Sequence, residues 1–151
     1  MNKESYYEKY MEVALKEAKK AYKNDDVPVG AILIDDSGKI ISKGFNKKEK
    51  DNDVSKHAEI IAIRKANKIL NNWRLDNLIL VVTLSPCLMC LGAIIGSRIK
   101  KVVIGCMDNK LSDKENIILN DLYFDNNIEI LKGVKENECK EILNDFFNKK
   151  R

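Results

Sequence analysis

Two cysteines and a single histidine are the side chains whose type and spacing could do chemistry in this 151-residue chain. Cys87 and Cys90 stand three residues apart, directly after a proline, in the segment SPCLMC, and His57 is the only histidine. Thiolate sulfur and imidazole nitrogen are the ligands that zinc prefers in proteins. Taken alone, the C-x-x-C pair also fits a thioredoxin-type redox motif or two packed cysteines, and a lone histidine also fits a surface position. The two segments therefore have to be considered together.

Glu59 makes the pattern more specific, because it lies two residues after His57 in the segment HAE. The order H-x-E followed by P-C-x-x-C is the signature of zinc nucleobase deaminases, in which one histidine and two cysteines hold the metal. We therefore predict one Zn²⁺ per chain, held by His57, Cys87 and Cys90. Three protein ligands leave the fourth tetrahedral position open, which is typical of a catalytic site. Glu59 is predicted to be catalytic, as the general acid and base that moves protons between water, base and leaving ammonia.

Composition is that of one ordinary globular domain, predicted to span residues 1–151. Apolar residues make up 44% of the chain and charged residues 33%, which disfavours disorder. The charged N-terminal segment predicts that there is no signal peptide, and no apolar run is long enough to cross a membrane. We therefore expect a cytoplasmic protein with reduced thiols, in which Cys106 and Cys139 are buried free cysteines.

The formal net charge of +4 is a weak indication of an anionic partner. Most lysines of such a chain are solvated surface charges. Local basic clusters are more informative than the total, and they comprise Lys47, Lys48 and Lys50, then Lys100 and Lys101, and finally Lys149, Lys150 and Arg151.

The elements that must position the zinc residues alternate between helices and strands. Apolar residues at helical spacing predict helices over 5–24, 57–70, 86–98 and 136–148, and apolar runs predict strands over 27–34, 40–46, 77–84, 100–106 and 128–133. This alternation predicts an α/β fold, a three-layer α/β/α sandwich with a central mixed sheet of about five strands.

The start of the helix over 86–98 is predicted from its capping residues. Ser85 fits the N-cap and Pro86 the first helical position, because a serine oxygen satisfies a free N–H and proline lacks one. This assignment puts Cys87 and Cys90 in the first turn and a half, where the positive helix terminus favours thiolates.

Over nearly its whole length the chain resembles the bacterial tRNA adenosine deaminases of the cytidine deaminase-like superfamily. The resemblance is carried by VPVGAILI, GFN, HAEIIAIR, NNWRLDN, VTLSPCLMCLGAIIGSRIKKVVIG and ECKEILNDFFNKKR. It implies the cytidine deaminase-like fold and a homodimer. It also implies hydrolytic deamination of adenosine to inosine at the wobble position of a tRNA anticodon, that of an arginine tRNA with an ACG anticodon.

The same resemblance implies roles for residues outside the zinc motifs. Asn46 matches an asparagine that hydrogen-bonds the flipped-out base, although it also fits a strand-end turn. Ala58 and Asp108 match further substrate-binding positions.

At the C-terminus, Phe147, Lys149 and Lys150 match a helix that lies against the anticodon stem-loop of tRNA in relatives. The basic end of this helix is expected to contact phosphates.

Three departures from the family pattern leave the substrate open. Serine stands at position 85 where relatives usually have glutamate, and residues 108–121 replace a loop rich in Gly, Ala and Ser. The segment NKKEKDND, 46–53, lacks the usual proline but adds lysines. The alternatives are a deaminase of a small free base or nucleoside, of guanine or cytosine type, and a non-catalytic RNA-binding protein. Intact zinc motifs disfavour the latter.

Overall fold

The computed structural model describes residues 2–150, so that Met1 and Arg151, the last residue of the basic C-terminal cluster, lie outside the described residues. The elements along the chain are α1 (Lys3–Lys23), β1 (Gly30–Ile34), β2 (Ile40–Phe45), α2 (Lys48–Asp51), α3 (Ala58–Leu70), β3 (Ile79–Leu84), α4 (Leu88–Gly96), β4 (Lys101–Cys106), α5 (Asp113–Asp125), β5 (Glu129–Lys132) and α6 (Glu136–Lys149).

The strands form one mixed sheet with the order β2-β1-β3-β4-β5. β1 is antiparallel to β2 and β3, whereas β3, β4 and β5 are parallel. A tight turn joins β1 to β2, where Gly38 adopts a positive φ of 90°. Parallel neighbours need longer crossovers, and α4 and α5 supply them. The predicted five-strand mixed sheet is confirmed.

Helices cover both faces of the sheet because its central strands are apolar on both sides. Ile32 and Val81 belong to the core beneath α1 and α6, whereas Leu33 and Val82 belong to the core beneath α3, α4 and α5. Successive residues of a strand point to opposite faces, so a continuous apolar run serves both layers. The predicted α/β/α sandwich is confirmed. In the part of the chain that is described, no helix combines the length and apolar character needed to cross a bilayer.

Helix α5 corrects the prediction that residues 108–121 are a loop. Ser112 and Glu115 form a capping box, in which each side chain bonds the backbone N–H of the other residue. This S-x-x-E pattern is a local signature of a helix N-terminus. The short helix α2 lies between the predicted strand over 40–46 and the predicted helix over 57–70, where no element was predicted.

The start of α4 also differs from the prediction. The helix begins at Leu88, and its N-cap is Cys87, with φ −75° and ψ 175°. Ser85 does not cap the helix, because its hydroxyl accepts the backbone N–H of Asp108 at 2.9 Å. At the other end, Arg98 has a positive φ of 67°, so the helix ends before it.

Cys106 and Cys139 are buried, as predicted, and neither forms a disulfide within residues 2–150. Burial raises the pKa of the Cys106 thiol to about 11 and that of Cys139 to about 12. Both thiols are therefore protonated at neutral pH and unreactive.

Candidate active site

Two helix N-termini meet at the candidate zinc site. His57 is the N-cap of α3 and Cys87 is the N-cap of α4, and both have extended backbone angles. N-cap side chains ordinarily accept a backbone N–H of their own helix. Among the described residues, neither His57 nor Cys87 makes such a bond, and the two side chains face one another instead.

The three predicted ligand atoms lie at zinc-binding separations. His57 Nδ1 is 3.6 Å from Cys87 Sγ and 3.5 Å from Cys90 Sγ, and all three atoms lie within 4.8 Å of one another. A tetrahedral ion with Zn–N of about 2.0 Å and Zn–S of about 2.3 Å separates its nitrogen and sulfur ligands by roughly 3.5 Å. The donor types and their spacing therefore fit one zinc ion.

Electrostatics in this cluster favour a thiolate. Hydrogen bonds from Cys90 and from the imidazole of His57 lower the pKa of Cys87 to about 4. The pKa of Cys90 is raised, because its thiol bonds Cys87 and because it is buried. The bond to Cys87 also raises the pKa of His57, although burial opposes it. Zinc requires deprotonated ligands, so its binding would release a proton from this cluster.

Glu59 lies in the first turn of α3 and is only 3% exposed. Burial raises the pKa of its carboxyl to about 7, and the negative charge of Cys87 adds to this effect. A carboxyl with a pKa near 7 can both take and give a proton at neutral pH, which a general acid and base must do. The geometry thus places such a group beside the zinc ligands.

A cleft of about 270 Å³ opens over these residues, and its lining includes His57, Glu59, Cys87, Asn46 and Asp108. Cys90 is fully buried beneath it. The structure therefore brings together the candidate zinc ligands, the candidate proton carrier and two of the predicted substrate-binding residues.

Asn46 and Ala58 are joined to one another. The side-chain oxygen of Asn46 accepts the N–H of Ala58 at 2.8 Å, and its amide nitrogen donates to the carbonyl of Val27 at 3.0 Å. Ala58 is fully buried, whereas Asn46 is 9% exposed. Of the two, Asn46 is the one that reaches the cleft.

Asp108 lies between the cleft and a neighbouring groove of about 400 Å³ that extends to Phe147. Its backbone N–H is bonded to Ser85, and its carboxylate accepts the N–H of Lys110 at 3.0 Å. The ammonium nitrogen of Lys110 lies 3.7 Å from the centroid of the Phe147 ring. Phe147 is therefore partly covered by a cation.

Lys149 and Lys150 lie outside the cleft, at the end of α6. Lys149 pairs with Asp145 at 3.6 Å, and Lys150 pairs with Asp25. Phosphates would have to compete with these carboxylates for both lysines.

Asp26, Lys48 and Glu49 also line the cleft, and sequence reasoning assigned no role at the site to them. Lys48 belongs to a basic cluster, and such a cluster could have indicated an anion-binding position. No such signal marked Asp26, because an aspartate before a strand is ordinary in a loop.

Comparisons with known proteins agree with this geometry. Residues 4–106 match the model of the cytidine and deoxycytidylate deaminase zinc-binding region. The chain is 45% identical over 153 residues to the tRNA-specific adenosine deaminase of Buchnera aphidicola subsp. Schizaphis graminum, a match that covers 99% of this chain and 97% of that protein.

Solved structures are similar as well. One from studies of A-to-I editing by tRNA:A34 deaminases at the wobble position has a TM-score of 0.78 and 37% identity, covering 88% of this chain and 97% of that one. The guanine deaminase of Nitrosomonas europaea has a TM-score of 0.81 and 23% identity, covering 92% of this chain and 83% of that one. At this lower identity the likeness shows the fold alone.

Proposed function

The chain belongs to the cytidine and deoxycytidylate deaminase zinc-binding family and, within it, to the tRNA-specific adenosine deaminases, and from this premise we propose that it converts adenosine to inosine at the wobble position of a tRNA anticodon. The observation that carries the proposal is the set of three zinc-spaced donors beside the buried carboxyl of Glu59. The substrate is an arginine tRNA with an ACG anticodon.

In this proposal His57, Cys87 and Cys90 hold one zinc ion. Zinc, when bound with an open position, makes water acidic enough to attack near neutral pH. The three ligands are supplied by the starts of α3 and α4, which are rigid elements anchored on the sheet.

Glu59 moves the protons. It accepts a proton from water as the new C6–O bond forms, and it passes that proton to the adjacent ring nitrogen of adenine. It then takes the proton of the new C6 hydroxyl and delivers it to the amino group as the C6–N bond breaks and the C6=O bond forms, so that ammonia leaves and inosine remains. The raised pKa of Glu59, about 7, supports both directions of transfer.

Asn46 and Asp108 contact the substrate in this proposal. Asn46 keeps one N–H and one lone pair beyond its bonds to Ala58 and Val27, and these can bind the base. We expect Ala58 to orient Asn46 rather than to touch the base itself. Asp108 meets the nucleotide in this proposal, which is supported by its position in the lining of both the cleft and the groove.

The anticodon stem-loop is proposed to continue along the groove towards Phe147, Lys149 and Lys150. The exposed surfaces of these side chains support the path, since the lysine side chains are 66% and 46% exposed even in their ion pairs. Exposed pairs of this kind are weak, so phosphates can displace the carboxylates.

We also propose that the protein is a cytoplasmic homodimer, as in the resembling family. Exposed apolar side chains at the start of α4 and on α5 support a dimer face, with Leu88 and Ile117 each 60% exposed and Ile118 44% exposed. Sedimentation analysis of the protein and of Ile117→Lys tests this, and a monomeric parent chain would contradict it.

The experiment that tests the function is deamination of a transcribed arginine tRNA with an ACG anticodon by zinc-loaded protein. Sequencing should show A-to-G conversion at the wobble position alone, and Glu59→Gln serves as the inactive control. Free guanine, cytosine and adenosine are assayed in parallel for ammonia release. Turnover of a free base, with no conversion of tRNA, would replace the proposal with a small-base deaminase.

A further inference from the structure

Asp26 is a buried carboxylate that the proposed chemistry does not use. It is 1% exposed, yet its two oxygens bond backbone groups of α2, accepting the N–H of Glu49 at 2.7 Å and that of Lys50 at 3.2 Å. Burying a carboxylate is costly unless it is hydrogen-bonded. Bonds from two N–H groups offset that cost and fasten α2 to the loop between α1 and β1.

The segment around α2 is also closed on itself. The backbone N–H of Lys47 donates to the carbonyl of Lys56 at 2.9 Å, and Lys56 pairs with Asp51 at 3.7 Å. The segment between β2 and α3 is thus closed by the bond between Lys47 and Lys56, and the α2 residues within it are bonded to Asp26.

Lys48, the first residue of α2, is therefore held at the mouth of the cleft that contains His57 and Glu59. Its side chain is exposed and, within residues 2–150, it forms no ion pair. This contrasts with Lys149 and Lys150, whose ammonium groups already pair with aspartates. Lys48 is the cation that an incoming anion could meet at the cleft without displacing a carboxylate.

We propose that Lys48 binds a backbone phosphate next to the target nucleotide, and that Asp26 is the positioning residue that holds α2 so that Lys48 can do so. The proposal rests on the proposed function, since it takes the substrate to be an RNA strand. Phosphodiester is the anion concerned, because a nucleotide that enters the cleft brings its flanking phosphates to the rim. A lysine ammonium is a usual phosphate ligand.

The first test compares Lys48→Gln with the parent protein. The probe is an anticodon stem-loop RNA that carries the product inosine, so that binding is measured without turnover. The dissociation constant should rise about three- to tenfold, and the slope of its logarithm against the logarithm of salt concentration should fall by about 0.7, the value for one single-stranded phosphate contact. With the adenosine RNA, KM should rise similarly while kcat changes less than about twofold.

Lys68→Gln is the matched control. Lys68 is an exposed lysine in the last turn of α3, about 15 Å from the start of that helix at 1.5 Å per residue. Its replacement removes the same charge from the protein but should leave the salt slope and KM unchanged. An equal effect of both variants would mean that only net charge matters, and this would overturn the proposal. Lys48→Arg should restore the slope.

Asp26→Asn tests the positioning role. Asparagine offers one oxygen, and its NH₂ group would oppose the other N–H of α2. The dissociation constant and the salt slope of Asp26→Asn should shift in the same direction as those of Lys48→Gln. The double variant should equal Lys48→Gln alone, because both substitutions act through one contact. Additive effects would overturn the role of Asp26. If Asp26→Asn fails to fold, hydrogen exchange of the parent protein decides, since the Glu49 and Lys50 amides must be protected.

Failure of this inference is distinguishable from failure of the proposed function. Wobble inosine formed by the parent protein, with an unchanged salt slope in Lys48→Gln, overturns only the phosphate contact. A parent protein that forms no inosine but binds RNA through Lys48 overturns only the function.

Discussion

The side-chain oxygen of Asn46 accepts the backbone N–H of Ala58 at 2.8 Å, which fastens the loop after β2 to the first residue of α3. The first N–H groups of a helix have no hydrogen-bond partner within it. Within residues 2–150, the side chain of His57 at the N-cap of α3 does not accept any of them. Asn46 therefore supplies the cap from outside the helix. This leaves the imidazole of His57 available for zinc.

Asn46→Ala should lower the free energy of unfolding by about 1–3 kcal/mol, because the buried Ala58 N–H loses its partner. The Val27 carbonyl loses one of two bonds, since it also accepts the N–H of Val29 at 2.8 Å. The substitution should also lower the rate of deamination, since the start of α3 carries His57 and Glu59. Urea unfolding and tRNA deamination measure the two effects. Asn148→Ala, at an exposed position of α6, is the control, and equal stability of the two variants would contradict the capping role.

Glu59→Gln should reduce tRNA deamination by about 10²–10⁴-fold, because it removes the group that transfers protons. Zinc content and thermal unfolding should stay close to those of the parent, since the amide is nearly isosteric. The control is Glu49→Gln, an exposed glutamate at the rim of the same cleft. Turnover by Glu59→Gln near the parental rate would refute the assignment.

Cys87→Ala should lose zinc, whereas Cys106→Ala should retain it. Both cysteines end or follow a strand, but only the sulfur of Cys87 lies among the zinc-spaced donors. Metal analysis after dialysis distinguishes the two variants. A strong chelator should lower the melting temperature of the parent and of Cys106→Ala but not of Cys87→Ala, because metal binding stabilises the folded state. Full zinc occupancy in Cys87→Ala would exclude it as a ligand.

Gly44→Ala should destabilise the protein by about 1–3 kcal/mol. A Cβ at this position in β2 would lie 2.4 Å from the carbonyl oxygen of Ala58 and 2.9 Å from the nitrogen of Ala62, so α3 would have to move away from the sheet. Gly92→Ala is the opposite case, because within residues 2–150 an added Cβ would meet no atom within 4 Å apart from its chain neighbours and the backbone of its own helix. A helical alanine there should stabilise by up to about 1 kcal/mol. Chemical denaturation of both variants tests the contrast.

Replacing Lys149 and Lys150 together by glutamine should weaken binding of the anticodon stem-loop. The salt slope should fall by less than about 1.4, the value for two phosphate contacts, because Asp145 and Asp25 compete for these lysines. Salt titration of RNA binding measures it. An unchanged slope would mean that the end of α6 does not contact the RNA.

The chemistry and the layer order could be predicted from the sequence, because both depend on residue type and local spacing. The ability to bind zinc or transfer a proton depends on side-chain type, and it identifies His57, Glu59, Cys87 and Cys90. The sequence contains only one histidine, so no other could be the imidazole ligand. The apolar runs over the central strands likewise report burial on two faces. The start of helix α5 is also encoded locally, because Ser112 and Glu115 form an S-x-x-E capping pattern.

Other features were decided only by tertiary structure, because they depend on residues far apart in the chain. Ser85 fits an N-cap by residue type, yet its hydroxyl accepts the N–H of Asp108, 23 positions away, and Cys87 is the N-cap of α4 instead. The hydrogen bond between Asn46 and Ala58 likewise joins segments with no shared motif. The hydrogen bonds from α2 to Asp26 do the same. The pKa of Glu59 is the final case. A glutamate is acidic in any sequence, and only the surrounding core removes it from water and raises its pKa to about 7, where it can exchange protons.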